Sequence, residues 1–468
     1  MAESAARDAP PSRYVENRHI DHIPAGARHG KPWHQFAFWF GSNVNMFNVV
    51  VGAVVVSIGL TFSESLIAIA VGTLIGALLI ALHATQGRRL GVPQTIQSRG
   101  QFGFYGSAFI FPAVLLINVG FIAAELVIQA QAMSGVTSVL TIPQWIVILA
   151  VPSVVVGIFG YRWIHRVMQA TALVVGVALV VMFAQGLRYG ALPARETAWA
   201  WPSPGLFLAG VALLVINMLT YGPFVSDYTR YLPATTSRFL TGLWAGLGVF
   251  VSCAILEVMG AALVTIPATA GLSNPTDQLI KPLPGVLAGL VLLGVALGAV
   301  TANVINVYSG AISFLTLGIR LPLRIRRAVV ALGAGVVGYI VGVALQSQVG
   351  PGSKYENFLL LIAYWIAPFL AVVLVDYWMR RGSYDERLFY DSRYWPWQGV
   401  VAMVVGIAAS FPFWNNALYT APLAKAVPQL GDITFVVGFV VTAVVYFVLT
   451  AGRRRQVAEQ RGTATAGS

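Results

Sequence analysis

The chain has 468 residues, of which 57% are hydrophobic and only 10% charged, with a mean hydropathy of +0.76. A soluble globular domain carries roughly 25% charged residues, so this composition excludes a water-solvated fold and predicts one solvated by lipid. The net charge of +12 calls for no nucleic-acid partner, because the basic residues fall where membrane topology puts them.

Residues 1–32 are polar, carry Pro10-Pro11 and scattered charge, and read as a mostly disordered cytoplasmic N-terminal tail. The first 33 residues lack an apolar h-region, which predicts no cleavable signal peptide. A transmembrane domain follows over 33–455. A spanning helix needs about 20 apolar residues, and twelve such stretches lie near 34–60, 65–85, 106–133, 143–160, 166–187, 205–228, 239–267, 284–318, 326–346, 356–379, 397–415 and 431–452. Residues 456–468 read as a disordered cytoplasmic C-terminal tail.

The first span is interrupted by Gly41-Ser42-Asn43-Val44-Asn45 and the sixth by Thr220-Tyr221-Gly222-Pro223. In hydrocarbon an interrupted helix survives only beside protein or a cavity that satisfies its freed backbone groups. A matched pair of breaks in corresponding halves is the best sequence pointer to a substrate site near the bilayer midplane. Ser42, Asn43 and Asn45 offer a hydroxyl and amides to a ligand; the competing role is to cap the break. The inner loop from Gln86 to Tyr105 mixes Gly, Pro, Arg and Gln and is placed on the cytoplasmic face.

The third span carries Asn118, Phe121, Glu125 and Gln129 at spacings of three, four and four, which put them on one helix face. A carboxyl near the centre of a span is costly and by default functional, so Glu125 is a candidate proton carrier. Phe121 offers a ring on which a flat ligand can stack. In the sixth span Tyr221 precedes Gly222-Pro223, where the lost donor and relaxed backbone let the ring project into the gap. Asp227 and Arg230, at the inner end, suggest an ion pair of structural or gating use.

In the seventh span Cys253, the chain's one cysteine, excludes a disulfide within the chain. Glu257 is a second carboxyl at depth, open to a proton-relay or a structural reading. The eighth span holds Thr301, Asn303, Asn306, Ser309 and Ser313 among small residues. Asn306 can donate and accept along a heterocycle edge, Asn303 shares its face, and Thr301 can offer an oxygen to a cation; small-residue packing explains part of the same pattern.

With the N-terminus inside, inner segments hold 24 of the 29 Lys and Arg, and outer loops hold Arg188, Arg195, Lys281, Lys354 and Lys425. That asymmetry predicts a multi-pass protein of the plasma (cytoplasmic) membrane with both termini cytoplasmic and an even span count. An enzyme is not expected: the sequence shows no His-Glu-x-x-His pattern, and His19, His22, His29 and His34 lie in or beside the N-terminal tail.

Trp39-Phe40-Gly41-Ser42-Asn43-Val44-Asn45 resembles the first-helix signature of the nucleobase:cation symporter family that includes purine–cytosine permeases. Gly91-Val92-Pro93 with Arg99-Gly100-Gln101-Phe102-Gly103, then Ser226-Asp227-Tyr228-Thr229-Arg230-Tyr231-Leu232-Pro233, then Ala302-Asn303-Val304-Ile305-Asn306-Val307-Tyr308-Ser309 resemble later motifs of that family, in family order from about Trp33 to Arg455. The resemblance implies an all-α, LeuT-like fold of two inverted five-helix repeats (about 34–187 and 205–379) with two extra helices (about 397–452). It implies import of a nucleobase or related flat heterocycle of the cytosine/purine class by cation symport and alternating access.

By motif, the sandwiching aromatics fall on Phe121 and Tyr221, a polar partner on Glu125 and an amide on Asn306. Relatives often place Trp at Phe121, Trp or Phe at Tyr221, an amide at Glu125 and Ser at Pro223. Sodium-coupled relatives have adjacent hydroxyls on helix eight, whereas Val300 precedes Thr301 here, which favours H⁺ over Na⁺. The expected substrate site is therefore Gly41, Ser42, Asn43, Asn45, Phe121, Glu125, Tyr221, Gly222, Asn303 and Asn306, with Glu125 and Thr301 coupling the cation. No cofactor, metal, nucleic acid or obligate protein partner is expected beside the small substrate and the lipid bilayer. A vitamin, hydantoin/allantoin-type or amino-acid carrier of the same fold is the alternative; an amide-rich first break suits a neutral heterocycle better than an amino acid.

Overall fold

The computed structural model describes residues 20–186, 194–197, 203–267, 284–317, 326–345, 354–416 and 419–466. The expected N-terminal tail up to residue 19, together with Arg188 and Lys281, lies outside them. In chain order the main helices are α1 (His34–Asn43), α2 (Met46–Ser57), α3 (Phe62–Leu90), α4 (Arg99–Val136), α5 (Ile142–Phe159), α6 (Tyr161–Gly186), α7 (Pro204–Leu219), α8 (Arg238–Thr265), α9 (Gly285–Thr316), α10 (Arg326–Leu345), α11 (Lys354–Met379), α12 (Trp397–Ser410) and α13 (Thr434–Ala466). Among the described residues six helices are long and apolar enough to cross a membrane, and eight spans result when each bent pair counts as one. Shorter apolar helices occupy 328–344, 364–379 and 397–413.

Local chemistry sets the helix ends. Thr61 and Glu64 form a reciprocal capping box at the start of α3, satisfying donors that the first turn leaves free. Gly91 closes α3 at φ 67°, a left-handed conformation that favours glycine. Pro112, Pro152 and Pro368 lie inside α4, α5 and α11, a placement that packed membrane helices tolerate.

Two groups of helices make the body. The first packs α1, α2, α3, α7 and α8 together, and the second packs α4, α5, α9 and α10, with α6 bridging α1 to α9. The contacts repeat under a shift of five spans: the broken α1–α2 pair lies on α8 as broken α7 lies on α3, and α5 lies on α9 as α10 lies on α4. This is the contact pattern of an inverted five-plus-five repeat. Helix α13 packs on α11 and α12 at the periphery.

Two differences from the sequence reading have physical causes. Within the segment Gln86 to Tyr105, expected as an irregular loop, residues 90–103 are buried and Gln94–Gln97 form a helical turn: Gln94, Gln97, Ser98, Arg99 and Gln101 are all buried. Many of their polar groups find partners inside the protein, with Arg99 donating to the Thr316 and Phe389 carbonyls at 2.7 and 3.0 Å, which lowers the cost of burial. The backbone of α13 also stays helical through Ala466, because Arg, Gln, Ala and Glu after the apolar span are good helix formers.

Candidate functional site

Both expected breaks are present. Helices α1 and α2 are bent by 66° at Val44-Asn45, and α7 is bent by 42° from a 3₁₀ turn over Gly222–Tyr228. Asn45, in extended conformation, caps α2 by accepting from the Asn48 N–H at 3.2 Å. Ser42 Oγ and Asn43 Nδ2 both donate to the Trp39 carbonyl, at 3.0 and 2.8 Å. Asn45 Nδ2 reaches the Ser42 carbonyl at 3.5 Å. Ser42 and Asn45 therefore spend their side chains on the break, while Asn43 keeps a buried Oδ1 with no protein partner.

Asn48, which the sequence reading missed, crosses the gap: its Nδ2 donates to the Asn43 carbonyl at 2.6 Å. Its Oδ1 accepts from Asn217 Nδ2 on α7 at 2.9 Å, so the two broken spans are tied together. Thr220 Oγ1 donates back to the Asn217 carbonyl at 2.7 Å across the start of the second break. The available signal was a lone amide inside each apolar helix, which hydrocarbon makes costly unless it has a use.

Aromatic pairs flank the first break. On the α1 side Trp39 meets Tyr221 edge-on at 5.7 Å, and on the α2 side Phe47 meets Phe121 edge-on at 5.7 Å. Glu125 is 2% exposed, and Tyr221 lies within electrostatic reach of Cys253, Glu125 and Glu257. The Gln129 amide lies 3.3 Å from Glu125 Oε2 and also adjoins the Met46 N–H and the Val295 carbonyl. One turn before Phe121, Asn118 donates to the Val114 carbonyl and leaves its buried Oδ1 without a protein partner.

Helix α9 closes the other side. A Cβ at Gly298 would collide with the Val44 carbonyl, so the freed carbonyl of the first break lies directly on α9, about one turn from Thr301. Thr301 itself donates to the Leu297 and Gly298 carbonyls at 3.1 Å each. Asn303 and Asn306 donate to the carbonyls four residues back, at 3.0 and 3.3 Å, and Asn303 Oδ1 remains buried without a partner. Two expected glycines pack closely: Gly41 lies on the Met168 carbonyl of α6, and Gly222 on the Leu370 side chain of α11.

Glu257 is remote from the other motifs in sequence but not in space. Thr73 Oγ1 on α3 donates to its Oε2 at 2.6 Å, and the Asn217 amide lies beside it. A Cβ at Gly52 would collide with the Glu257 carbonyl, which shows how closely α2 and α8 approach. Among the described residues neither Glu125 nor Glu257 is paired with a cation.

Beyond the second break the polar side chains bond to one another. Tyr228 is buried and its hydroxyl meets Ser309 Oγ at 2.8 Å and the Ile305 carbonyl at 3.2 Å. The Asp227 carboxylate accepts from the Gln94 N–H at 2.8 Å and from Ser309 Oγ at 3.2 Å, while Arg230 donates to the Tyr308 hydroxyl at 3.0 Å. The segment around Gln94, the second break and α9 are therefore bonded together.

Comparison with known proteins gives a family match over residues 22–438 to the permeases for cytosine/purines, uracil, thiamine and allantoin. The chain is 33% identical over 462 residues to the putative purine-cytosine permease YxlA of Bacillus subtilis, covering 94% of this chain and 97% of that one. It is 23% identical to the purine-cytosine permease fcyB of Emericella nidulans, over 93% of this chain and 88% of that one. The fold matches that of Mhp1, a nucleobase-cation-symport-1 family transporter in a closed conformation with bromovinylhydantoin bound, at a TM-score of 0.75 and 19% identity, covering 95% and 96% of the two chains.

Proposed function

The chain belongs to the permease family for cytosine/purines, uracil, thiamine and allantoin, and from that premise we propose import of a cytosine- or purine-class base by H⁺ symport. It is a multi-pass membrane transporter of the nucleobase type, and its family is not a class of enzymes. The observation that carries the finer reading is the aromatic pair on each side of the first break, beside a buried carboxyl with no cation partner among the described residues.

In this reading the flat ring packs between Phe121 and Tyr221. Glu125 and Asn306 engage its edge, and the spare oxygens of Asn43, Asn118 and Asn303 supply further acceptors. The backbone of Gly41, Ser42, Asn45 and Gly222 shapes the site at the two breaks. Glu125 carries the coupled proton; Na⁺ beside the Val44 carbonyl and Thr301 is the competing coupling. Alternating access across twelve spans, with both termini cytoplasmic and the plasma membrane as the host bilayer, completes the proposal. Support for the cycle comes from the hydrogen bonds that join the second break to α9 and from the five-span symmetry of the contacts.

The test is uptake of labelled cytosine, adenine, hypoxanthine, uracil, allantoin and hydantoin into proteoliposomes, with H⁺ and Na⁺ gradients imposed separately. Accumulation of a cytosine- or purine-class base under an inward H⁺ gradient is the expected result. If no base is taken up or competes, the nucleobase reading is lost; if only Na⁺ drives uptake, the H⁺ assignment is lost.

A further inference from the structure

The orientation of one amide joins Glu125 to the first break. An amide's oxygen and nitrogen are assigned from the groups around them, and those around Gln129 pull in two directions. One end of the amide lies 3.3 Å from the Met46 N–H and 3.3 Å from Glu125 Oε2; the other lies 3.0 Å from the Val295 carbonyl. The end near Val295 must be nitrogen to donate to that carbonyl, which makes the end near Met46 an oxygen that accepts from it. That oxygen then faces Glu125 Oε2, and two acceptors in contact in a buried site are unfavourable. A proton on Oε2 resolves the conflict, since Oε2–H donates to Gln129 Oε1. With Glu125 ionised the amide must turn to present its nitrogen to the carboxylate, and the same rotation sets donor against donor at Met46 and acceptor against acceptor at Val295.

We infer that Gln129 is a proton-reading switch: its amide turns when Glu125 gains or loses a proton, making or breaking bonds to the start of α2 and to α9. The inference rests on the reading of Glu125 as proton carrier. The proton comes from the aqueous side and adds to the carboxylate oxygen; no other bond is made or broken covalently. Met46 is the first residue of α2, immediately after the break, and Val295 lies on the helix that packs against Val44 through Gly298. Proton occupancy is thus translated into whether α2, α4 and α9 are tied at the level of the substrate site.

Among the described residues, the α2, α5, α9 and α12 helices packed on α4 contain no Asp, Glu, Lys, Arg or His, and the short turn Glu386–Phe389, which packs on α4 and bonds Arg99, carries Glu386 and Arg387. Helix α10 contributes Arg326, Arg327 and Tyr339, and α11 carries Lys354, Glu356 and Asp376 towards its ends. Tyr221 lies within electrostatic reach of Cys253, Glu125 and Glu257.

The test combines infrared difference spectroscopy of the purified protein in lipid, acid minus neutral, with gradient-driven uptake in proteoliposomes. Wild type should show an acid-induced carboxyl C=O band that Glu125→Gln removes together with accumulation. Gln129→Met, near in shape but without an amide, should keep that band and shift it to higher frequency, because the carboxyl proton has lost its acceptor. Its accumulation should fall roughly tenfold while downhill exchange continues, the order expected for one lost buried hydrogen bond. A band that survives in Glu125→Gln removes Glu125 as proton carrier, and the function reading with it. A band absent from Glu125→Gln, yet unshifted in Gln129→Met with accumulation intact, overturns the switch and leaves the carrier standing. Should Gln129→Met fail to fold, Gln129→Asn, which withdraws the amide by one methylene, is expected to behave the same way.

Discussion

Asn217 on α7 donates to Asn48 on α2 across 2.9 Å, and Asn48 in turn donates to the Asn43 carbonyl, so one amide bridges the first break and fastens it to the second broken span. Interhelical side-chain bonds in membranes are worth about 0.6 kcal/mol on average and up to about 1.7. A double-mutant cycle of Asn48→Ala and Asn217→Ala, read by denaturation in bicelles, should give a coupling energy within that range. Simple additivity of the two substitutions would show that the breaks are not energetically joined here.

Glu125→Gln keeps a polar group of the same shape but cannot take up a proton. Wild-type uptake should rise as the outside is acidified, and the variant should be flat across the same pH range. Accumulation against a gradient should collapse while counterflow exchange persists. Retention of wild-type pH dependence would take Glu125 out of coupling.

The two aromatics flanking the first break make a prediction in affinity. Base–aromatic stacking is worth about 1–3 kcal/mol per base, so Phe121→Ala and Tyr221→Ala should each weaken substrate binding by roughly 5- to 150-fold. Tyr221→Phe keeps the ring and should stay near wild type. Equilibrium binding of labelled base to purified protein measures all three, and an unaffected Phe121→Ala excludes that ring from the site.

Gly52 and Gly260 let α2 and α8 meet backbone to backbone, against the Glu257 and Val49 carbonyls respectively. An added methyl at either has no free volume, and overpacking typically costs about 1–3 kcal/mol. Gly52→Ala and Gly260→Ala should lower the melting temperature in detergent and the yield of monodisperse protein. Gly285→Ala, where a Cβ meets open space, should do neither.

The Tyr228 hydroxyl ties the second break to α9, and in the proposed cycle that tie holds the inner side closed. Tyr228→Phe removes the bonds to Ser309 and Ile305 while keeping the ring contact with Phe38 at 4.3 Å. Loss of about 1 kcal/mol from the closed form corresponds to a roughly fivefold larger inward-open population. Alkylation from the inner side of a cysteine introduced near the gate, with Cys253 replaced, reads that population; an unchanged rate means the hydroxyl is not a lock.

Much of the site was legible because hydrocarbon makes polar residues conspicuous. Gly41–Asn45, Tyr221–Pro223 and the Asn118–Gln129 face stand out against apolar neighbours, and the structure breaks or aligns the helices where they occur. Partnership was less legible. Ser42 and Asn45 bond within the break, Asn48 and Asn217 find each other over 169 residues, and Glu257 meets Thr73 over 184. Pairings of that range follow from how α2, α3, α7 and α8 pack, and a helix's own periodicity carries no record of them.

The sequence by itself determined that the chain lives in a bilayer, where its helices break, and which side chains are costly at depth. Those properties are local: transfer free energy and backbone hydrogen bonding are decided residue by residue against lipid. Only the tertiary structure decided which polar groups are already satisfied and which remain spare, that Gln129 stands between Glu125, Met46 and Val295, and that Tyr228 and Asp227 bond to Ser309 and Gln94. A hydrogen bond needs its two atoms within about 3 Å of each other, and between distant segments only the packed fold supplies that proximity.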